Sequence, residues 1–557
     1  MAAAATTIGN FYKWEKETPN KPFLKQPFDD RWEVTTWAEA GQTARKLATG
    51  LKSLGLRDKA HIGLVSKNCR EWIIADLAIM MAGYVSVPFF PTLTSDQINE
   101  VLSLGDVDAL FVGKMEVWDE MQKGVPEDMP VIAFPHYEGN SKVERGHQWH
   151  DFINKFEPIQ GTPVPNWEDM WTIVFTSGTT GTPKGVVLPN KINEATLKLI
   201  EDGNNLKVDV NGNNRFFSFL PLNHIAERVV VETTCINFGG TISFTESLDK
   251  FAKNLQDTKP TIFFAVPRIW TKLQMGILGK MPQNKLNTML KIPFVSGMVK
   301  KKIKAGLGLD QARVCVSGAA PMAQEQKEWF HKLGLPLGEG YGMSENCAVC
   351  TFLDWDDHKP GSVGKAQPGS EIRIDPETKE ILYKAPWNMS GYYNSPEKTA
   401  ETLKDGWLHT GDQGRLDDEG YLYITGRVKD TFKTAKGKFI VPAKIEKAFE
   451  TNTDIEQLCI VGLGCQQPIL LVYPSEIGMA KDQAALKDSL ENTLKAANKD
   501  LPNYQRVSTV VVTKDAWSVE NGLLTPTLKV KRPKVNERFK EHFVQWEEMA
   551  APVVFEG

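Results

Sequence analysis

The sequence predicts an α/β fold, with a large N-terminal domain of layered sheets and helices and a small C-terminal α+β domain. The chain has 557 residues, well beyond the ~250 to 300 at which one hydrophobic core stops growing. Over the first two-thirds, amphipathic stretches such as TWAEAGQTARKLATGLKSLGL alternate with short apolar runs such as HIGLVS, which is typical of helices packed on parallel strands. A lysine-rich stretch follows Arg427, and about 130 residues remain, enough for a second domain. We therefore expect domains at 1–428 and 429–557.

Composition and charge exclude several classes of protein. The net charge is -4, from 65 Lys and Arg against 69 Asp and Glu, so no basic surplus indicates a nucleic acid partner. The seven cysteines are scattered and odd in number, unlike a disulfide framework, and indicate a reducing compartment. The start, MAAAATTIGN, lacks the features of a signal peptide, and no run of about 18 apolar residues could span a bilayer. We expect a cytoplasmic protein, with peripheral membrane contact left open.

The segment TIVFTSGTTGTPKGVVL predicts a phosphate-binding loop between two apolar strands. Gly178 and Lys184 have the separation of a Walker A loop, but Pro183 replaces its second glycine and Gly185 replaces its metal-binding hydroxyl. The following VVLP is typical of a strand, so no helix N-terminus is offered to the phosphate. The alternative is an ordinary surface turn, which would not need so many hydroxyl and glycine residues beside a lysine. The residues that we expect to contact phosphate are Thr176, Ser177, Gly178, Thr179, Thr180, Gly181 and Lys184.

This loop closely resembles that of the acyl-adenylate-forming superfamily, which includes acyl-CoA synthetases, luciferases and peptide-synthetase adenylation domains. Further motifs similar to those of the family follow in the same order: SFLPLNHIAERV, VSGAAPM, GYGMSEN, GWLHTGDQG, YITGRVKD and LLTPTLKVKRP. The resemblance spans nearly the whole chain. It implies the fold given above, with ATP bound by the N-terminal domain and a mobile C-terminal domain.

The resemblance also implies roles for individual residues. Without it, His224 would be interpreted as a structural histidine, VSGAAPM as a turn at the start of a helix, and Asp412 and Arg427 as surface charges. His224 would lie beside the acyl and nucleotide sites, and Glu345, with Thr176, would hold Mg²⁺. Asp412 and Arg427 would bind the ribose hydroxyls, as suits a carboxylate and a guanidinium facing a cis-diol. The residues implied to contact the adenine or the phosphate are Gly318, Ala319, Ala320, Tyr341, Gly342, Met343 and Ser344.

The C-terminal residues are implied to serve two half-reactions. Lys529 occupies the position of the adenylation lysine, with Lys531 as the alternative. The hinge of the family falls on Lys429, and the stretch with Lys433 and Gly437 would form the face that admits CoA. Without the resemblance, this stretch would be interpreted as a solvated lysine-rich hairpin.

The form of KTAKGKFIVPAKIE, together with TKPTIFFAVPRIWTKL, resembles the long-chain fatty acyl-CoA synthetase branch, including its bubblegum-type members. The implied substrates are a long-chain fatty acid, ATP and CoA, with Mg²⁺ as cofactor. The alternatives are an acyl-AMP ligase that loads an acyl carrier protein and a CoA ligase for medium-chain or aryl acids. Ten Lys and Arg and no Asp or Glu lie between Thr258 and Leu309, so residues 284–304 are a candidate for contact with anionic lipid, or else a solvated helix face. We expect a monomer or a homodimer.

Overall fold

The computed structural model describes residues 6–29, 31–176, 182–193, 197, 205–356, 359–499, 501–519, 521–525 and 529–556. The chain divides into two compact units. Among described residues, the first unit contains those of 1–176, 183–371 and 383–408. The second contains those of 372–382 and 409–557, together with Thr182. The predicted boundary at 428 stays a prediction.

The first unit contains two large sheets that are mainly parallel, as the alternation of helices and strands predicts. Within the described residues, the first sheet has nine strands, of which six neighbouring strands in the middle are parallel. One antiparallel strand lies at one edge and two lie at the other. Its strands are, in spatial order, Lys365–Ala366, Thr351–Leu353, Leu337–Tyr341, Val314–Gly318, Ile262–Ala265, Arg215–Ser218, Thr241–Phe244, Pro22–Phe28 and Arg31–Thr36.

The second sheet carries the strands on either side of the phosphate loop. Its strands are, in spatial order, Gly391–Tyr392, Lys184–Pro189, Met170–Thr176, Val85–Phe89, His61–Val65, Val107–Val112, Val131–Ala133 and His147–Gln148. The first three of these are antiparallel neighbours, and the others are parallel. Buried side chains from its strands and from the helix Ser95–Leu104 form a continuous apolar core.

The first long helix of the first unit, Trp37–Ser53, forms within the amphipathic stretch that the sequence predicts to be helical. The helix Trp37–Ser53 begins with a capping box, in which the Thr36 hydroxyl accepts from the Glu39 amide and the Glu39 carboxylate accepts from the Thr36 amide. Further α-helices are Thr7–Glu17, Arg70–Ala82, Ser95–Leu104, Trp118–Met121, Trp149–Ile153, Ile225–Glu227, Thr234–Phe238, Phe251–Thr258, Pro267–Lys280, Gln283–Lys291, Val295–Leu307, Gln324–Lys332 and Pro396–Thr402.

The second unit is an α+β unit, in agreement with the sequence. One sheet has the strand order Ile455–Val461, Ile469–Pro474, Thr509–Val512 and Val553–Phe555. A hairpin pairs Phe432–Lys433 with Phe439–Ile440. A further sheet contains Glu371–Ile374, Glu380–Lys384, Leu403–Lys404, Trp407–Leu416 and Leu422–Arg427, and only its residues within 372–382 and from 409 onward belong to the second unit. The α-helices are Pro442–Glu446, Glu476–Met479, Gln483–Lys499, Arg532–Phe539 and Phe543–Glu548.

The seven cysteines are all free and buried, which agrees with a chain that has no disulfide framework. None of the helices in the described ranges combines the length and the apolar character that crossing a bilayer requires.

Candidate functional site

The phosphate loop connects two antiparallel strands. Thr176 is the last residue of Met170–Thr176, Lys184 is the first residue of Lys184–Pro189, and the two residues are register partners. The Thr176 hydroxyl donates to the Lys184 carbonyl over 3.5 Å. A strand rather than a helix therefore follows the lysine, as predicted, which differs from a Walker A loop. The predicted loop residues Ser177, Gly178, Thr179, Thr180 and Gly181 lie outside the described residues.

A buried tyrosine lies between the lysine of the loop and the predicted metal ligand. The Tyr392 hydroxyl donates to Oε1 of Glu345 over 2.8 Å, and Nζ of Lys184 lies 4.9 Å from the centroid of the Tyr392 ring. Burial, and then the charge of Glu345, raise the pKa of Tyr392 well above its ordinary value, so the hydroxyl remains a donor at neutral pH. The structure thus brings Lys184 and Glu345 to one tyrosine.

The backbone explains why Tyr392 lies there. Tyr392 pairs in antiparallel register with Val186 on the strand that Lys184 begins. The amide of Met389 donates to the carbonyl of Glu345 over 2.8 Å. The segment of Met389 and Tyr392 therefore joins the strand after the loop to the turn that holds Glu345. The sequence motif SGYYN gave no signal of this contact, which joins segments far apart in the chain.

The predicted adenine-contacting residues follow two neighbouring parallel strands. Gly318 and Gly340 are register partners, and a Cβ on Gly318 would lie 3.0 Å from the Gly340 carbonyl oxygen, so the strands approach closely here. Tyr341 ends its strand and is partly buried. A Cβ on Gly342 would lie 2.3 Å from the backbone of Ala348, so only glycine fits this turn. The carboxyl ends of adjacent parallel strands form the usual crevice for a ligand in α/β sheets.

The remaining members of this group lie beside the same strand ends. Ala319 follows directly and adopts a φ of 64°, and Ala320 is exposed. The amide of Met343 donates to Oδ1 of Asn346 over 2.8 Å, which closes the 3₁₀ turn that Ser344 begins. Their roles in nucleotide binding stay predictions.

The chemistry around Glu345 fits Mg²⁺ held largely by substrate. The residue is buried, and the Tyr392 hydroxyl orients one of its carboxylate oxygens. No group of three or more His, Cys, Asp and Glu side chains gathers anywhere in the described ranges. Mg²⁺ is usually bound by one or two carboxylates together with substrate phosphates, and such a site does not need a larger cage. Glu345 would supply the carboxylate, and the Thr176 hydroxyl remains the second predicted ligand.

His224 lies in a loop that buried polar groups hold in place. His224 is the N-cap of a short helix, and its Nδ1 accepts from the Ala226 amide over 3.3 Å. Oε1 of Glu227 accepts from the Ser218 hydroxyl over 2.8 Å, and the Asn68 amide donates to the same hydroxyl over 2.8 Å. Burial raises the pKa of Glu227 to about 8, and the Ser218 contact opposes this shift. These contacts fix the loop from both sides of His224.

A fully buried arginine connects this loop to the strand that leads into the phosphate loop. The guanidinium of Arg228 donates to Oδ2 of Asp76 over 2.7 Å, to Oε2 of Glu232 over 3.1 Å and to the Thr172 hydroxyl over 2.7 Å. Its Cζ also lies 4.3 Å from the centroid of the Trp171 ring. A π-helical turn begins at Arg228, and such turns are frequent near functional sites. Sequence analysis missed this arginine, because only the folded chain brings its partners together.

In the second unit, Asp412 and Arg427 form a pair. They are register partners in antiparallel strands, and Nε of Arg427 donates to Oδ1 of Asp412 over 2.9 Å. Burial and then the charge of Arg427 lower the pKa of Lys529, while Asp412 opposes the shift. Lys529 is exposed as a whole residue. Burial, and then the charge of Lys534, lower the pKa of Lys531, and neither Asp412 nor Arg427 contributes to that shift.

The lysine-rich stretch forms the hairpin that the residues alone suggest. Lys429 is exposed in a 3₁₀ turn that directly follows Arg427. Lys433 is exposed, and its Nζ lies 4.7 Å from the centroid of the Phe439 ring. Gly437 has a φ of 72° and forms the turn, which is why a glycine is required there. The hinge and CoA-facing roles of these residues stay predictions.

The AMP-binding enzyme family matches residues 11–393, and the AMP-binding enzyme C-terminal domain matches residues 429–545. The chain therefore belongs to the AMP-binding enzyme family, which confirms the superfamily and the fold class expected from its motifs. Membership makes the chain an adenylate-forming ligase.

The relatives within this family indicate the branch. The peroxisomal long chain acyl-CoA synthetase 6 of Arabidopsis thaliana is 30% identical, over 92% of this chain and 81% of the relative. The long-chain-fatty-acid–CoA ligase ACSBG2 of Xenopus laevis is 27% identical, over 92% of this chain and 79% of the relative. A solved structure of the anthranilate CoA ligase AuaEII in complex with anthranoyl-AMP has a TM-score of 0.76 and 19% identity, covering 96% of this chain and 97% of that one. The resemblance to the long-chain branch is thereby confirmed at the level of sequence similarity.

Proposed function

We propose that this enzyme converts a long-chain fatty acid, ATP and CoA into acyl-CoA, AMP and pyrophosphate. The observation that carries the proposal is the contact of Tyr392 with both Lys184 and Glu345, which gathers a cation and a carboxylate beside the phosphate loop. The long-chain substrate rests on the relatives, whose names describe long-chain acyl-CoA synthetases and which align over most of this chain.

The first half-reaction joins two anions. An oxygen of the fatty acid carboxylate attacks the α-phosphorus of ATP, the bond to the bridging oxygen breaks, and pyrophosphate leaves with that electron pair. Alignment and neutralisation of charge should therefore dominate over proton transfer. Lys184 would bind the departing phosphates, and Lys529 would meet the α-phosphate and the carboxylate. Mg²⁺ held by Glu345 would supply further positive charge to the phosphate oxygens.

The second half-reaction transfers the acyl group from AMP to the CoA sulfur. The thiol loses its proton and attacks the acyl carbonyl, and AMP leaves with the electrons of the mixed anhydride bond. We propose that rotation about Lys429 exchanges Lys529 for the hairpin that carries Lys433 and Gly437. The exposed charges of this hairpin, at Lys433, Lys436 and Lys438, suit the phosphates of CoA.

Two alternatives differ in the acceptor or in the acid. An acyl carrier protein in place of CoA would use the same first half-reaction. Activation of an aryl acid is the alternative for the acid, and the anthranilate CoA ligase, which shares its fold with this chain at 19% identity, is named for such an acid.

The decisive experiment measures pyrophosphate and AMP release with Mg-ATP across carboxylic acids from acetate to oleate, with benzoate and anthranilate alongside. Each acid is tested with and without CoA. Stimulation by long-chain acids, with AMP turnover that requires CoA, is the expected result. Pyrophosphate release that CoA does not affect would favour the carrier-protein alternative, and a preference for aryl acids would refute the long-chain substrate.

A further inference from the structure

An exposed apolar apex joins two helices of the basic segment. The helices are Gln283–Lys291 and Val295–Leu307, and all residues of the connection from Lys291 to Phe294 are exposed. Phe294 is 90% exposed, Ile292 46% and Met298, on the first turn of the second helix, 66%. We call these three residues, with the exposed lysines Lys291, Lys301 and Lys302, the basic tip.

The backbone presents Phe294 to solvent in a strained conformation. Phe294 has φ 63° and ψ −45°, and the amide of Val295 donates to the carbonyl of Pro293 over 2.8 Å, which defines a γ-turn of the rare form. A non-glycine residue in this conformation is disfavoured and persists only where neighbouring structure imposes it. An aromatic residue held in this way, with almost its whole side chain in water, has no role in the core.

The opposite face of the second helix is already packed. Val299 is buried and Ile303 partly buried in an apolar cluster with Leu286 and Ile277. Met298, Lys301 and Lys302 therefore share the remaining face, at the helical spacing of three and four residues. The tip therefore lies on the outer surface of the first unit, on the side of the helix away from its packed face.

The charge of this surface is uncompensated. Between Thr258 and Leu309 the sequence contains ten Lys and Arg and no Asp or Glu. Lys259 pairs with Asp310 at 3.6 Å, at the edge of the segment. Within the described residues, by contrast, no ion pair joins Lys291, Lys301 or Lys302 to a carboxylate.

We propose that the basic tip docks on a lipid bilayer that contains anionic headgroups. Phe294, Ile292 and Met298 would enter the boundary between headgroups and acyl chains, and the surrounding lysines would lie at the level of the phosphates. An exposed aromatic apex ringed by lysines matches an apolar interior beneath a negative surface. A nucleic acid would bind the lysines but would leave the apolar side chains of the apex in water. Because the net charge of the whole chain is -4, attraction of a negatively charged membrane is confined to this local basic surface.

The test is sedimentation of the full chain with phosphatidylcholine vesicles, with and without phosphatidylserine. Binding should require phosphatidylserine and should disappear at about 1 M NaCl, where the Debye length is about 3 Å. Each lysine near the surface should contribute about fivefold, so Lys301→Gln with Lys302→Gln should weaken binding by roughly 25-fold. Phe294→Ser should weaken it by about tenfold or more, because the ring loses its apolar environment.

Matched controls separate the tip from charge or hydrophobicity in general. Lys52→Gln with Lys499→Gln changes the charge equally at exposed helical positions outside the segment, and Leu248→Ser removes an apolar side chain that is 86% exposed. Both should leave binding unchanged, and all variants should keep the parent melting temperature. The proposal is overturned if no binding occurs at low salt, if controls and tip variants behave alike, or if a DNA oligonucleotide binds as tightly as the vesicles and independently of Phe294.

Discussion

Removing one hydroxyl group should test whether Tyr392 positions the predicted metal ligand. Tyr392→Phe keeps the ring beside Lys184 and deletes only the donor that contacts Glu345 Oε1 at 2.8 Å. A hydrogen bond to a charged group is worth about 1.5–3 kcal/mol, which corresponds to roughly 10- to 150-fold. Loss of a group that orients a metal ligand typically costs 10–100-fold in metal affinity or activity. We therefore expect Tyr392→Phe to decrease kcat/KM for pyrophosphate release by about 10- to 100-fold.

The assay titrates Mg²⁺ at saturating ATP and acid, so that an effect on the apparent Mg²⁺ affinity is separated from a general loss of activity. Tyr393→Phe is the matched control, because the neighbouring Tyr393 hydroxyl donates over 2.8 Å to a different carboxylate, that of Asp106. Glu345→Gln provides the reference for complete loss of the ligand. If Tyr392→Phe left both kcat/KM and the Mg²⁺ dependence at parent values while Glu345→Gln abolished activity, the positioning role would be refuted.

Three further predictions concern other parts of the chain. Lys529→Ala should slow acyl-AMP formation by about 10²- to 10³-fold while largely sparing thioester formation from supplied acyl-AMP. Lys531→Ala should leave both half-reactions at parent rates, and equal effects of the two changes would contradict the assignment of Lys529 as the adenylation lysine. Burial raises the pKa of Glu227 from 4.5 to about 8. Between these two values the native state retains a proton on Glu227 that the unfolded state has lost, so the free energy of unfolding should fall as pH rises, by up to about 1.4 kcal/mol per pH unit. Glu227→Gln should remove that slope in urea unfolding between pH 5 and 8, and a slope that persists would refute the cause. Gly342→Ala should lower the free energy of unfolding by about 1–3 kcal/mol and weaken ATP binding, because its Cβ would lie 2.3 Å from the Ala348 backbone; unchanged melting and ATP affinity would show that the turn accommodates it.

Much of the fold could be predicted from local pattern. The spacing of apolar residues identifies the helix Trp37–Ser53 and the strand His61–Val65, because amphipathic periodicity and capping act within one element. Small residues in the loop likewise indicate two flanking strands, and the structure has Met170–Thr176 and Lys184–Pro189 in these places. The family resemblance, rather than local chemistry, implies that Asp412 and Arg427 act together, and their register in the structure brings them within hydrogen-bond distance.

The sequence by itself determined the α/β class, the family motifs and the surplus of positive charge near residue 300, since each depends on residues close together along the chain. Only the tertiary structure decided that Tyr392 contacts both Lys184 and Glu345, and that Arg228 binds Asp76, because these partners come from segments separated by up to about 200 residues. It also decided that Phe294 is exposed while its neighbour Val299 is buried. The physical reason is that burial and long-range hydrogen bonds depend on how elements pack against one another, and the periodicity within a single element does not contain that information.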